Sequence, residues 1–208
     1  GSGRAGLPSD QPGLAQLLEY MSPIDGLQAH DYDELQKILT GKTVQLGLKA
    51  EDDAFVSSGL TSSADLEMQL KLMAATISAF GYRAETDAQW PDVAKLIAEG
   101  QKANATALFP LSSQNILSDG DARFGLIDPA LLAQRKMTEL KAVIDQQLKT
   151  GAIELALVGD VDENDAIALV AQSFGALPKR AANTTLSASQ KMRRFPTDRK
   201  LRVIPHNG

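Results

Sequence analysis

The sequence Ile153–Pro178, IELALVGDVDENDAIALVAQSFGALP, predicts a buried strand followed by a turn and an amphipathic helix. Residues 153–158 are apolar except for Glu154, which is typical of a strand covered on both faces. Gly159 interrupts this run and indicates a turn. We therefore expect residues 153–158 to form a central strand of the fold.

The second half of this stretch has the signals of a helix with defined ends. Asp162 stands at the expected N-cap, where its carboxylate can accept the free backbone N–H groups of the first turn. Gly175 and Pro178 mark the end of the helix. Its apolar stripe is expected to pack on the strand and consists of Ile167, Val170, Ala171 and Phe174.

Upstream of this unit, apolar periodicity predicts further helices and one β-hairpin. Helices are expected over 13–21, over 31–39 with a capping box, from 62 to about 80, and over 112–117. Another is expected from near Pro91, with Val93, Leu96 and Ile97 inward. The last is expected from Asp128 to Gly151, with a stripe of Met137, Leu140, Ile144 and Leu148. Residues 43–48 alternate between apolar and polar side chains, and residues 54–60 return after an acidic turn, which favours a hairpin.

Composition limits the classes of protein to consider. The 208 residues are 43% hydrophobic and 23% charged, which is enough apolar material for a real core. The net charge of −5 argues against binding to nucleic acid. There are no cysteines, so disulfides and thiolate metal sites are excluded. No apolar run approaches the length of about 20 residues that crosses a bilayer, so we expect no membrane span.

The segments VGDVD (158–162) and FGALP (174–178), with DLEMQLKLMAATISAFGYRAE (65–85) before them, resemble a repeat of the insulinase/pitrilysin family of zinc metallopeptidases, the inverzincins. The resemblance covers residues 12–180. It implies an α+β fold like that of a mitochondrial-processing-peptidase repeat, with a mainly antiparallel sheet covered on one face by helices. It also implies that the sheet is incomplete at its N-terminal strand, and that this is a non-catalytic repeat, the third of four.

The family's zinc motif, His-x-x-Glu-His, aligns with the first predicted helix. Here the frame reads Gln16, Glu19 and Tyr20, so the glutamate that serves as general base is retained and both histidines are replaced. Glu99 lies at about the spacing of the family's third ligand. Catalytic zinc needs three protein ligands, usually imidazoles with a carboxylate. We therefore interpret Gln16, Glu19 and Tyr20 as a degenerate zinc motif. We expect no catalytic residue, metal or cofactor in this chain, and zinc only in the parent protein.

Composition and the same resemblance together suggest a division of the chain. Residues 1–12 are interpreted as a flexible leader or tag remnant, 13–178 as the non-catalytic repeat, the basic stretch 179–200 as an interdomain linker, and 201–208 as the start of the next repeat.

The leading hypothesis is a wall of the peptide-degrading chamber of a zinc-dependent endopeptidase, inactive by itself. Its expected partners are peptides or unfolded proteins and the other repeats of the polypeptide. Two alternatives stay open: an inactive partner subunit that binds peptide for a separate active protease, and a free-standing α/β ligand-binding domain that uses the Gly159 turn. The expected compartment is the periplasm, with the cytoplasm as the alternative.

Overall fold

The computed structural model describes residues 3–102, 105–180, 195–198 and 200–203. Eight α-helices and one two-stranded sheet lie in this part of the chain, with 3-10 turns at Arg4–Gly6 and Ser63–Asp65. In order, they are α1 (Leu14–Asp25), α2 (Tyr32–Ile38), β1 (Lys49–Ala50), β2 (Phe55–Val56), α3 (Leu66–Ser78), α4 (Thr86–Lys102), α5 (Ala105–Leu117), α6 (Pro129–Ala133), α7 (Met137–Thr150) and α8 (Glu163–Ser173).

The main core forms where α1, α4 and α7 meet. The predicted stripe of α7 is confirmed, because all four of its residues are buried. They pack with the apolar face of α1 and with Trp90 of α4, whose indole N–H donates to the Leu132 carbonyl at 2.7 Å. The residues that α1 contributes are Leu14, Leu17, Leu18 and Met21.

The predicted capping signals are largely confirmed. Asp31 caps α2 and forms a capping box with Glu34. Asp128 caps α6, with Pro129 at its first position. The helix predicted from Asp128 to Gly151 is two helices, however, since α6 ends at Ala133 and α7 begins after an extended residue, Lys136.

The predicted hairpin is present but short. Lys49 pairs with Val56 and Ala50 with Phe55 in antiparallel register. Residues 43–48 form no strand, and side chains satisfy part of their backbone instead. The Gln69 carboxamide both accepts from the Gln45 N–H and donates to the Gln45 carbonyl, each at 2.8 Å.

The central strand predicted over residues 153–158 is wrong for this structure. The segment forms no strand, Val158 is 98% exposed, and Leu155 and Leu157 are only half-buried. A strand needs a neighbour for its backbone groups, and no other strand lies beside this segment in the described residues. The fold is therefore mostly helical with a small antiparallel sheet, which agrees with the α+β class only coarsely.

Two predictions of helix faces are also wrong. Ile167 of α8 is 60% exposed, because the neighbouring segment 153–158 does not cover it. Leu96 of α4 is 68% exposed, since the core contacts are made by Trp90 and Ala94. Helix α4 also begins at Thr86, five residues before Pro91, near which the sequence indicated its start.

The ends of the chain bear on the predicted division. In the segment interpreted as a leader, the Arg4 N–H donates to the Glu51 carbonyl at 2.7 Å, and Leu7 is buried. Most of the predicted linker, residues 181–194 and 199, and most of the predicted next repeat, residues 204–208, lie outside the described residues. Within the described ranges, no helix has both the length and the apolar character needed to cross a membrane.

Candidate functional site

The three positions of the degenerate zinc motif share the outer face of α1. Gln16, Glu19 and Tyr20 stand at i, i+3 and i+4, opposite the buried apolar face of the same helix. Gly13 precedes the helix with φ +100°, and a Cβ there would lie 2.9 Å from Leu132 Cδ1. The structure thus places the three positions on one face of α1.

Gln16 is half-buried, and its Oε1 accepts no hydrogen bond in the described part of the chain. It lines a crevice, together with Gln11 and Arg123, that has no room for a water molecule. The Arg123 guanidinium is held by Asp121, whose hydrogen bond raises the pKa of Arg123, and it also donates to the Ala5 carbonyl.

Glu19 and Tyr20 are exposed, Tyr20 by 48%. Strand β1 packs beside α1, and Lys49 of that strand is hydrogen-bonded to Glu51 at 2.5 Å. The hydrogen bond and charge of Glu51, with a smaller contribution from Glu19, raise the pKa of Lys49. Glu19 therefore belongs to a solvated surface of mixed charge.

The donor set of this face does not fit a catalytic zinc ion. A carboxamide, a carboxylate and a phenol replace the imidazole pair that would hold the metal and lower the pKa of its water. Glu99 lies on α4, largely exposed, with its carboxylate 4.0 Å from the Lys95 ammonium. Across the described residues, no group of three or more histidines and acids comes close enough together to hold a metal ion.

The structure reveals a buried carboxylate that the sequence did not indicate. Asp25, at the end of α1, is fully buried and accepts from the Tyr82 N–H at 2.5 Å, the Arg83 N–H at 3.0 Å and the Thr86 hydroxyl at 2.7 Å. Burial raises the pKa of Asp25, and these hydrogen bonds only partly oppose it. The one sequence signal is an acidic residue at a helix C-terminus, where the dipole is unfavourable to it.

The backbone around Asp25 leaves no room for a side chain at Gly81. A Cβ on Gly81 would lie 2.6 Å from Asp25 Oδ2, and Tyr82 adopts φ +52°, which is uncommon for a non-glycine residue. Arg83 donates to the Leu27 carbonyl at 2.5 Å. Asp25 thus ties the end of α1 to the start of α4, which is a structural task.

The turn at Gly159, which the ligand-binding alternative would use, is exposed. Two N–H groups at the start of α8, just after this turn, are already hydrogen-bonded. The Asp162 carboxylate accepts from the Asn164 and Asp165 N–H groups at 2.9 and 3.1 Å, which confirms the predicted N-cap. Acidic side chains at this helix start oppose a phosphate ligand.

Comparison with known proteins shows which solved structures share this fold. No family model matches the sequence, and no curated protein is similar to it in sequence. Among solved structures, the peptidase M16 inactive domain from Pseudomonas fluorescens is 26% identical, with a TM-score of 0.65 over 88% of this chain and 46% of its own. The first half of the periplasmic protease PqqL from Escherichia coli is 15% identical, with a TM-score of 0.64 over 88% and 42%.

A third similar structure is a mutant of the ferredoxin protease FusC in complex with Arabidopsis ferredoxin. It is 14% identical, with a TM-score of 0.62 over 89% of this chain and 21% of its own. The chain thus spans less than half the length of each of these structures. Its fold is that of M16-type, pitrilysin-like protease domains, and this confirms the resemblance at the level of fold.

Proposed function

We propose that this chain is a non-catalytic domain of a zinc-dependent M16-type endopeptidase, forming part of the wall of a chamber in which peptides are degraded. The observation that carries the proposal is the outer face of α1. The chain has the fold of M16-type domains, and the alignment of α1 with the family's motif assigns Gln16 and Tyr20 to the positions of the metal-binding histidines.

The retained Glu19 has no bound water to deprotonate under this proposal. A general base in this chemistry works on a water whose pKa the metal has already lowered. Without the imidazole ligands, Glu19 is a surface carboxylate on a helix whose opposite face holds the core together. The role of the domain is then shape and peptide contact.

The activity, substrates and compartment of the parent protein are part of the same proposal. Its substrates would be peptides or unfolded proteins, in keeping with the ferredoxin seen bound to FusC. The periplasm is the proposed compartment, since PqqL is described as periplasmic. In this arrangement zinc is held by another repeat.

The test is the conservative substitution Glu19→Gln in the full-length gene product, assayed with a quenched fluorescent peptide. The expected kcat stays within about twofold of wild type. A general base contributes about 100-fold or more, so a loss of that size would show that this repeat is catalytic. Glu67→Gln is the matched control, because Glu67 is also an exposed helical carboxylate and is paired with Lys71.

A further inference from the structure

Helix α5 is apolar along its length but buries almost none of its surface. Residues 103–118 form the longest stretch of the sequence without a charged side chain. In the described part of α5 only Ser112 is buried, whereas Phe109 is 69% exposed and Leu117 is exposed as well. A helix at the surface of a globular protein normally has charged side chains on its solvent face. The uncharged, exposed face of α5 therefore indicates a contact with another macromolecule.

The exposed residues of α5 form a ridge that suits packing against a second helix. Phe109, Ser113 and Leu117 are spaced at i, i+4 and i+8, and ridges of this kind on two helices interdigitate at a crossing angle of about −50°. Ser113 stands in the middle, where its small side chain lets the two helix axes approach closely. Its hydroxyl donates to the Pro110 carbonyl of the same helix at 2.8 Å. Covering the ridge therefore leaves the Ser113 donor satisfied.

The charge distribution favours a second copy of the same chain as the occupant. The net charge is −5, so most contacts between two copies would bring acidic side chains together. The α5 ridge avoids this penalty because it has no charge. On α4, against which α5 packs, the exposed Lys95 ammonium and Glu99 carboxylate are 4.0 Å apart and offset each other. A bilayer surface fits less well, since helices that lie on membranes are rich in Lys and Arg on their polar face.

A two-fold axis makes the ridge complementary to itself. Most homo-oligomers form through such isologous contacts, in which the same patch of both subunits meets. With Ser113 at the crossing of the two helices, Phe109 and Leu117 lie on either side of it and pack against the ridge of the other copy. Aromatic residues are enriched in the cores of protein interfaces, and charged residues are depleted there. The ridge thus has the composition of an interface core.

We propose that two copies of this protein associate through α5, with Ser113 next to the two-fold axis and with Phe109 and Leu117 buried on either side of it. This inference goes beyond the proposed function and does not depend on it, because it involves neither the motif positions on α1 nor a metal ion. Its tests measure mass and cross-linking, so they fail or succeed independently of the Glu19→Gln assay.

Disulfide trapping tests the position of the axis, since the chain has no cysteine of its own. In Ser113→Cys the two thiols are expected to lie within reach of each other, so mild oxidation should convert most of the protein into a covalent dimer. Ser9→Cys, at an exposed position outside α5, is the matched control and is expected to give several-fold less dimer. Equal yields from the two variants would overturn the proposal.

The same trapping in the full-length gene product, with any other cysteines replaced by serine, separates a second copy from a neighbouring part of the polypeptide. The dimer is expected to form there too. Trapping of the 208-residue chain alone would show that another part of the same polypeptide covers α5, and this would overturn the proposal.

Sedimentation velocity provides the second measurement. At about 100 µM the chain is expected to reach twice the mass of a monomer. Phe109→Asp should raise the dissociation constant of the dimer about tenfold or more, because it places a charge in the interface core. Leu60→Asp is the matched control: Leu60 is 72% exposed, lies outside α5, and its substitution adds the same charge without changing the constant.

Two results of this measurement would overturn the proposal. One is a wild-type chain that stays monomeric, and the other is an equal effect of Phe109→Asp and Leu60→Asp. Co-sedimentation of the monomer with vesicles of phosphatidylethanolamine and phosphatidylglycerol would assign the α5 face to a lipid surface instead.

Discussion

At the scale of single residues, Asp25 joins two helices through a buried carboxylate. Its carboxylate satisfies two backbone N–H groups and one hydroxyl between α1 and α4. A buried carboxylate is costly in its ionised form, and this is the reason its pKa is raised. Asp25 is thus a buried charge whose hydrogen bonds hold the junction in place and whose ionisation opposes folding.

This balance predicts how stability depends on pH. Because the folded state raises the pKa of Asp25 above its ordinary value of 3.8, the folded protein binds more protons than the unfolded chain between those two values. The contribution of Asp25 to the free energy of unfolding is therefore fully present below the ordinary pKa, and it falls as pH rises through the folded one.

Urea titrations of wild type and Asp25→Asn between about pH 3 and pH 7 measure this contribution. The difference in free energy of unfolding, wild type minus variant, is expected to decrease with rising pH. A difference that stays constant or increases would show that burial does not dominate. Asp92→Asn, at an exposed position on α4, corrects for the loss of one negative charge.

At the scale of secondary-structure elements, α8 packs against α3 but buries little of its own surface. Its predicted apolar stripe is largely uncovered, and only Ser173 of the helix is buried. The Asp162 cap satisfies two N–H groups of the first turn. Local stability of α8 should therefore respond clearly to the loss of this cap.

Asp162→Ala is expected to cost α8 about 1 kcal/mol, which corresponds to about fivefold faster exchange of its amides. Hydrogen exchange over residues 166–170 measures the change. Asp160→Ala is the matched control, since the Asp160 side chain accepts no hydrogen bond within the described residues and should have a much smaller effect. Equal effects of the two substitutions would mean that charge near the helix start, and not capping, stabilises α8.

The contrast between α7 and α8 shows what could be predicted from the sequence. Both helices have an apolar stripe at helical spacing, and both were predicted to bury it, but only α7 does. Periodicity reports which face of a helix could be buried, while its burial depends on a neighbour that a single segment does not reveal. The same reason explains why the sequence predicts a strand over residues 153–158 although they form none in the structure.

The candidate site was predictable in one part only. The frame of Gln16, Glu19 and Tyr20 is visible because three positions on one helix turn form a local pattern. The Asp25 network is not visible, because its partners Tyr82, Arg83 and Thr86 lie 57–61 positions further along the chain. Contacts of such separation have no periodic signature.

At the scale of the whole molecule, the helices around α1 and α7 form a well-packed core, whereas the sheet has only two short strands in the described residues. The core of α1, α4 and α7 is closed by Trp90 and Phe80. The segments 43–48 and 153–158 instead form no strands, and the one sheet of the described ranges is the β1–β2 pair. In the proposed function, other parts of a longer protein would cover the side of these two segments.

We propose above all that this chain has the fold of an M16-type protease domain but holds no zinc of its own. The most direct test is the zinc content of the purified 208-residue chain by plasma mass spectrometry after exposure to zinc and dialysis, with peptide hydrolysis measured on the same sample. The account predicts far less than one zinc per chain and no hydrolysis above background. One tightly held zinc per chain that is lost in Glu19→Gln or Tyr20→Phe, or sustained hydrolysis that a chelator abolishes, would contradict it.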